Sequence, residues 1–331
     1  INGRINVSLL IESIKSTVQE ADSLHITFFE ENGKLYQVLQ KPNEVPVQYI
    51  DVSLMKTPKQ TAIDLMNDDL SLSIDLKKGP IYKQILFKIA SDEYLWYQKI
   101  HHIACDALGF SLITNKVAST YSAYLKEKFE PEPAFKPLSL LIEEENKYKE
   151  SSLYMEDQKY WKEKYKGVTH DVSLSQNELQ SSEATSTIKI AKKLTATEFQ
   201  KIKNKAKERK IAWPHLVIAA MGVYQYKITG DRKSLLTLPM MNRSTVAMNI
   251  PATTMNILPL LLSFSNDSTF MSLVKEVVNE TRENSKHQHY RQEQLQRDLG
   301  TIGQSSFLNS FQVNIMPFTY QPIFGDVAAT T

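Results

Sequence analysis

Residues 7–19 place Leu10, Ile14 and Val18 four apart, the stripe of a helix buried along one side. The period then shortens. LHITFFEENGKLYQVLQ holds two apolar, β-rich runs around Asn32-Gly33, which predicts a hairpin turned at that dipeptide. KQTAIDLMNDDLSLSID predicts a polar helix and a connector, and GPIYKQILFKIASDEYLWYQKIHHIA predicts two strands joined at Ser91-Asp92-Glu93. In LGFSLITNKVASTYSAYLKEK the helical period returns, with Leu112, Ile113, Val117, Tyr121 and Tyr124 as the inner face.

Prolines in FEPEPAFKPLSLL forbid a long helix, after which EEENKYKESSLYMEDQKYWKEKYKG is charged and helical. A polar stretch rich in Ser and Thr, GVTHDVSLSQNELQSSEATST, marks the boundary between an N-terminal lobe, 1–170, and a C-terminal lobe, 171–331. Beyond it ATEFQKIKNKAKERK predicts a basic amphipathic helix whose charges form a solvated face. WPHLVIAAMGVYQYKIT predicts a more buried helix with Pro214 in its first turn. SLLTLPMM and NILPLLLSF read as strands, TFMSLVKEVVNETRENSKHQHYRQEQLQRDLG as mostly helix, and SFQVNIMPF as a last strand. Helices and strands mix in both halves, an α/β (α+β) chain without a repeat or a glycine-rich phosphate loop.

The length, 331 residues, suits two packed domains. With 39 basic and 37 acidic side chains the net charge is +2, so no global field argues for nucleic acid or an anionic membrane surface. No apolar run approaches a membrane span. The single cysteine, Cys105, excludes an internal disulfide and a cysteine-based zinc site, and a reducing, cytoplasmic setting is expected. A start at Ile1, with no basic leader and cleavage site, predicts that the chain begins inside a larger polypeptide.

The candidate chemistry lies in HHIACDALGF. If the preceding strand runs through both histidines, alternation sends His101 and His102 to opposite faces, so they cannot serve one metal or one substrate together. His102 and Asp106 lack a third metal ligand at a familiar spacing, and no metal is expected. On spacing alone, two satisfied core histidines followed by an N-capping aspartate account for the stretch better than a site does.

The stretch HHIACDALGFSL resembles the HHxxxDG signature of the condensation domains of nonribosomal peptide synthetases, written here as HHxxxDA, with Gly109 in the glycine position that often follows. ESSLYMEDQKYWKEKY, LPMMNRS, TMNILPLLLSF, KHQHYRQEQLQRDLG and SFQVNIMPF are similar to further motifs of that family, in order along the chain. The family's first conserved helix and the end of its second lobe are missing, so the chain looks trimmed at both ends.

The resemblance implies two chloramphenicol acetyltransferase-like lobes set in a V, with a tunnel between them. Peptidyl carrier domains bring a donor thioester to one mouth and an acceptor aminoacyl thioester to the other on phosphopantetheine arms, and the acceptor amine attacks the donor carbonyl. No bound cofactor, nucleic acid or membrane is implied, and an adenylation domain is expected in the same polypeptide. His102 matches the histidine that faces the tunnel, as general base or as the group that orients the amine. His101 becomes the inward, structural member. Asp106 matches an aspartate that pairs with an arginine across the lobes, best matched by Arg243. Asn256 matches an asparagine lining the tunnel, although a strand-end residue bonded to backbone fits it nearly as well. Ala107 departs from the glycine; where φ is positive its Cβ costs about 1 kcal/mol.

The TMNILPLLLSF form resembles domains that take aryl or other acyl donors, as in siderophore assembly. An epimerisation domain of the same fold and a non-catalytic, carrier-recruiting relative are the competing readings.

Overall fold

The computed structural model describes residues 1–127, 134–168, 188–301, 311–316 and 322–330. The chain divides into two compact units. One comprises Ile1–Asn146, Arg243–Thr254 and Phe318–Thr331; the other comprises Lys147–Asn242 and Met255–Pro317. The lobe boundary expected at 170/171 lies outside the described residues.

In the first unit α1 (Val7–Glu20) starts at Asn6, whose side chain accepts from Leu9 N–H, and buries Leu10, Ile14 and Val18. β1 (Ile26–Glu31) and β2 (Lys34–Leu39) pair antiparallel about Asn32 and Gly33, with φ of 52° and 73°. Two consecutive left-handed residues make the tight hairpin turn, and this is why Asn-Gly stands there. β3 (Gln48–Asp51) runs parallel to β4 (Tyr82–Ala90), after α2 (Pro58–Ser71), and β4 pairs antiparallel with β5 (Glu93–Ile100). β4 is nearly continuous in apolar residues because both of its faces are covered. Tyr82 and Leu86 pack in the cluster built with α1 and α3 (Ala107–Leu125), whereas Ile85, Phe87 and Ile89 pack with Ala62 of α2 and with Val52, which follows β3. The buried stripe of α3 is Ile113, Val117 and Tyr121; Leu112 and Tyr124 flank it half-exposed.

Asp69 ties α2 to this sheet. Tyr97 O–H donates to its Oδ2 at 2.8 Å, and Lys83 and Lys99 pair with the carboxylate. Burial alone would raise its pKa, but the hydrogen bonds from Lys83 and Tyr97, with the two lysine charges, outweigh that and hold it below 3.8. Since the folded pKa lies below the unfolded one, the stabilisation is complete above the unfolded value and fades as pH falls through the folded one. Asp69→Asn is therefore expected to melt below wild type at pH 7, with the gap narrowing in acid below 3.8, as followed by thermal unfolding across pH. A gap independent of pH would contradict the ion pairing.

The charged stretch expected as one helix is two. α4 (Ser139–Lys149) ends and α5 (Ser152–Tyr165) restarts at Ser151, whose hydroxyl caps Tyr154 N–H. In the second unit α6 (Ala196–Glu208) opens on a capping box of Thr195 and Glu198. α7 (Trp213–Thr229) carries Pro214 in its first turn and stops at Gly230, φ 72°. β6 (Lys233–Met240) and β7 (Asn256–Ser263) pair antiparallel, and Leu236, Leu238, Leu260 and Leu262 pack against Ala219 of α7 and against Val274 and Val277 of α8 (Phe270–Lys286). α9 (Gln292–Leu299) follows a turn. The described part of the last expected strand, 311–316, makes only an isolated parallel bridge, Thr237 to Gln312. A small hairpin, Ile323–Phe324 with Val327–Ala328, belongs to the first unit and sets Phe324 against Trp96 and Tyr121. Among the described residues no helix is long and apolar enough to cross a membrane.

Candidate functional site

The site is organised around Asp106, which is 5% exposed. As the N-cap of α3, it accepts Gly109 N–H on Oδ1 at 2.8 Å, satisfying a donor the helix start would leave open. The same oxygen accepts from Arg243 Nη2 at 2.8 Å, and Oδ2 accepts from Thr254 N–H at 3.1 Å and from its hydroxyl at 3.3 Å. The Arg243 side chain is fully buried. Its Nη1 donates to the carbonyls of Ala247 and Ile250, and Nη2 also donates to that of Ala252, each at 2.7 Å. One guanidinium thus shapes 243–254 into a loop around itself while pairing with the helix cap. The resemblance implied a pair across two lobes. Here both partners fall within one unit, because the 243–254 segment folds with the residues of the chain's first half.

Gly109 lets this loop approach. A Cβ built there would stand 2.8 Å from Cys105 Sγ and 3.1 Å from the backbone N and O of Ala252, closer than atoms pack. Ser23 O–H donates to Pro251 O, and Thr253 O–H donates to His102 O. The sequence does not point to Thr253, Thr254 or Ser23, since lone hydroxyl residues in a loop give no periodic or spacing signal.

Alternation does not set the two imidazoles, because β5 ends at Ile100 and the chain turns toward α3. His101 N–H still donates to Ile81 O at 2.9 Å, and its carbonyl accepts Ala104 N–H at 2.9 Å to close the turn. The half-buried His101 ring accepts Ile103 N–H on Nδ1 at 3.1 Å, which leaves the proton of the neutral ring on Nε2. His102 is exposed, and its ring has no hydrogen bond among the described residues. The structure holds the backbone of His102 and leaves its imidazole open to reactants.

Ala107 is the first residue of α3 and is not among the residues of positive φ. The strain considered for a Cβ at this position is therefore absent. Ala107→Gly is expected to relieve nothing and to shift stability by at most about 1 kcal/mol, downward, in a denaturant titration. A clear gain in stability would contradict the helical assignment.

Asn256 lies at the start of β7 in the second unit, 3% exposed. Nδ2 donates to Gln288 O at 2.7 Å and Tyr290 O at 2.8 Å, and Oδ1 accepts Gln292 N–H at 3.1 Å. Its amide is engaged with the turn between α8 and α9, the backbone-bonded arrangement weighed for it above. His287 and His289 occupy that turn rather than a helix. His287 Nδ1 is 2.7 Å from Oδ1 of the fully buried Asp157 and its ring stacks on Tyr160; His289 lies beside Tyr148.

Cys105 sits directly behind the cap. Burial first, then the Asp106 carboxylate, pushes its thiol up to about 12, against the opposing effect of Arg243. A thiol so poised is not a nucleophile at neutral pH. The native protein is expected to resist iodoacetamide at pH 8 and to take up one carbamidomethyl group on unfolding; rapid native labelling would contradict the burial. Among the described residues no group of three His, Cys, Asp or Glu is placed to hold a metal ion.

The family model of the condensation domain matches residues 1–328. The chain belongs to the condensation domain family. It is 35% identical over its whole length to the dimodular nonribosomal peptide synthase of Bacillus subtilis, of which it spans 14%. It is 26% identical to enterobactin synthase component F of Escherichia coli, again over all of this chain and 26% of the relative. The condensation domain is thus a small part of much longer synthetases. Among solved structures it is similar to a mutant starter condensation domain of rhizomide synthetase in complex with C8-CoA, at 27% identity and TM-score 0.86, covering all of this chain and 74% of that one. The first condensation domain of the calcium-dependent antibiotic synthetase shares the fold, with TM-score 0.84 at 23% identity.

Proposed function

We propose that this condensation domain forms an amide between a donor acyl or peptidyl thioester and the amine of an acceptor aminoacyl thioester, both delivered on the phosphopantetheine arms of carrier domains. The observation that carries this reading is the exposed imidazole of His102, which has no hydrogen bond among the described residues, on a backbone whose carbonyl is held by Thr253 and which leads into the Asp106–Arg243 pair. In the reaction the acceptor nitrogen attacks the donor carbonyl, the C–N bond forms and the C–S bond breaks. His102 takes or steers the proton lost by nitrogen, which leaves with the donor carrier's thiol. No acyl-enzyme is required, consistent with the inert Cys105. An imidazole that supplies a proton path in this way contributes typically about 10²–10⁴-fold in rate.

Similarity to an enterobactin synthase component and to a starter condensation domain supports an acyl donor, as in siderophore assembly, over a long peptidyl one. Donor and acceptor carriers and a neighbouring adenylation domain would be its partners, in a cytoplasmic synthetase with no cofactor bound to this domain. The same-fold rival, epimerisation, abstracts an α-proton. Given an aminoacyl-loaded carrier in D2O, the domain is expected to leave the α-hydrogen unexchanged; deuterium wash-in at that carbon would replace amide formation with epimerisation.

A further inference from the structure

The three-stranded sheet of the first unit carries a polar pair between β4 and β5. Gln84, 1% exposed, interrupts the apolar strand β4, and Gln98 stands directly opposite it on β5. Both face α3. Trp96 Nε1–H donates to Gln84 Oε1 at 2.9 Å, and Gln98 Nε2 donates to Thr114 Oγ1 at 3.2 Å. These contacts fix which way each amide points. An indole N–H can only donate, so Gln84 must offer it oxygen. The Thr114 hydroxyl spends its proton on Phe110 O at 3.0 Å, so Gln98 must offer it N–H.

What remains is complementary. Gln84 Nε2 and Gln98 Oε1 are shut from solvent and have no partner among the described residues, and they do not bond each other. Opposed residues of an antiparallel pair hold their Cβ atoms about 4.5–5.5 Å apart. An orphaned donor and an orphaned acceptor thus sit on directly opposed residues of the sheet, each at a desolvation cost that native interiors rarely leave uncompensated.

We infer that Gln84 and Gln98 form a buried site for one hydroxyl group, which accepts from Gln84 Nε2–H and donates to Gln98 Oε1. The pair selects by hydrogen-bond polarity: a carboxylate or ketone has no proton for Gln98, and an ammonium has no lone pair for Gln84. The oxygen is that of a resident water or of a hydroxyl on the acyl donor; the second source rests on the proposed function. Through Thr114 and Phe110 the site is hydrogen-bonded to the first turns of α3, and Gln98 precedes His101 by three residues on the strand that leads into the signature turn.

The test is a high-resolution crystal structure of the wild-type protein, read between the two amides. An oxygen within hydrogen-bonding distance of both Gln84 Nε2 and Gln98 Oε1 is expected, and its density should vanish in Gln84→Met/Gln98→Met. A direct amide-to-amide bond, or an empty gap, overturns the site whether or not the domain proves to form amides. The two sources separate in carrier-loaded assays with hydroxylated and deoxy donors. For a substrate hydroxyl the deoxy donor should react at least tenfold more slowly with wild type and equally with the double variant, whereas for a resident water the two donors should keep one ratio in both proteins.

Discussion

Arg243→Ala is expected to destabilise the first unit by about 3–5 kcal/mol, a large share of the roughly 5–15 kcal/mol that holds a domain folded. Its guanidinium is fully buried and is the counter-charge to a carboxylate that is itself 5% exposed. Removing it strands that charge in a low-dielectric interior and takes the donor from the carbonyls of Ala247, Ile250 and Ala252. Arg243→Lys should fail almost as badly, because an ammonium cannot reproduce the planar fork that reaches four acceptors. Asp106→Ala should match it from the other side, losing the cap on Gly109 as well, worth about 1 kcal/mol. Urea unfolding of the three variants is the check. A loss under 1 kcal/mol for Arg243→Ala would show that the loop 243–254 is held by something other than this pair.

His102→Ala is expected to behave in the opposite way, with an intact fold and amide formation lowered at least about 100-fold. The side chain is exposed and contributes no hydrogen bond among the described residues, so nothing structural is lost with it, and Thr253 still grips the backbone carbonyl. His101→Ala is the control. It releases Ile103 N–H and loosens the turn, which costs stability of about 0.5–1.5 kcal/mol before it costs rate. The contrast between adjacent histidines is read by pairing a melting curve with a single-turnover rate for each variant. A folded His102→Ala protein within a few-fold of wild type would remove the imidazole from the chemistry.

The elements were legible where one residue type dictates local geometry. Asn32-Gly33 can scarcely be anything but a hairpin turn, and Leu10, Ile14 and Val18 can face only one way. What escaped were the interruptions. The break at Ser151 is made by one hydroxyl that caps a new helix inside a charged run, where no hydrophobic period marks the restart. The end of β5 at Ile100 is imposed by α3, whose start is fixed by Asp106, so alternation from the strand could not be extended through His102. At the site, the motif resemblance pointed to Arg243 and Asp106, and the structure brings them together. It could not supply Thr253, Thr254 or Ser23, which act through hydrogen bonds between residues far apart in sequence. Gln84 was likewise absorbed into an apolar strand, its partner visible only once β4 and β5 are in register.

The most direct measurement is the intact mass of an aminoacyl-loaded acceptor carrier after one turnover with a donor-loaded carrier and this protein. With wild type the acceptor arm is expected to gain the mass of the donor acyl group while the donor arm returns as a free thiol, and with folded His102→Ala the acceptor mass should stay unchanged over the same interval. An acceptor that never gains mass with wild type, from any loaded acyl or peptidyl donor, while both carriers still bind, would contradict amide formation and leave a domain that only recruits.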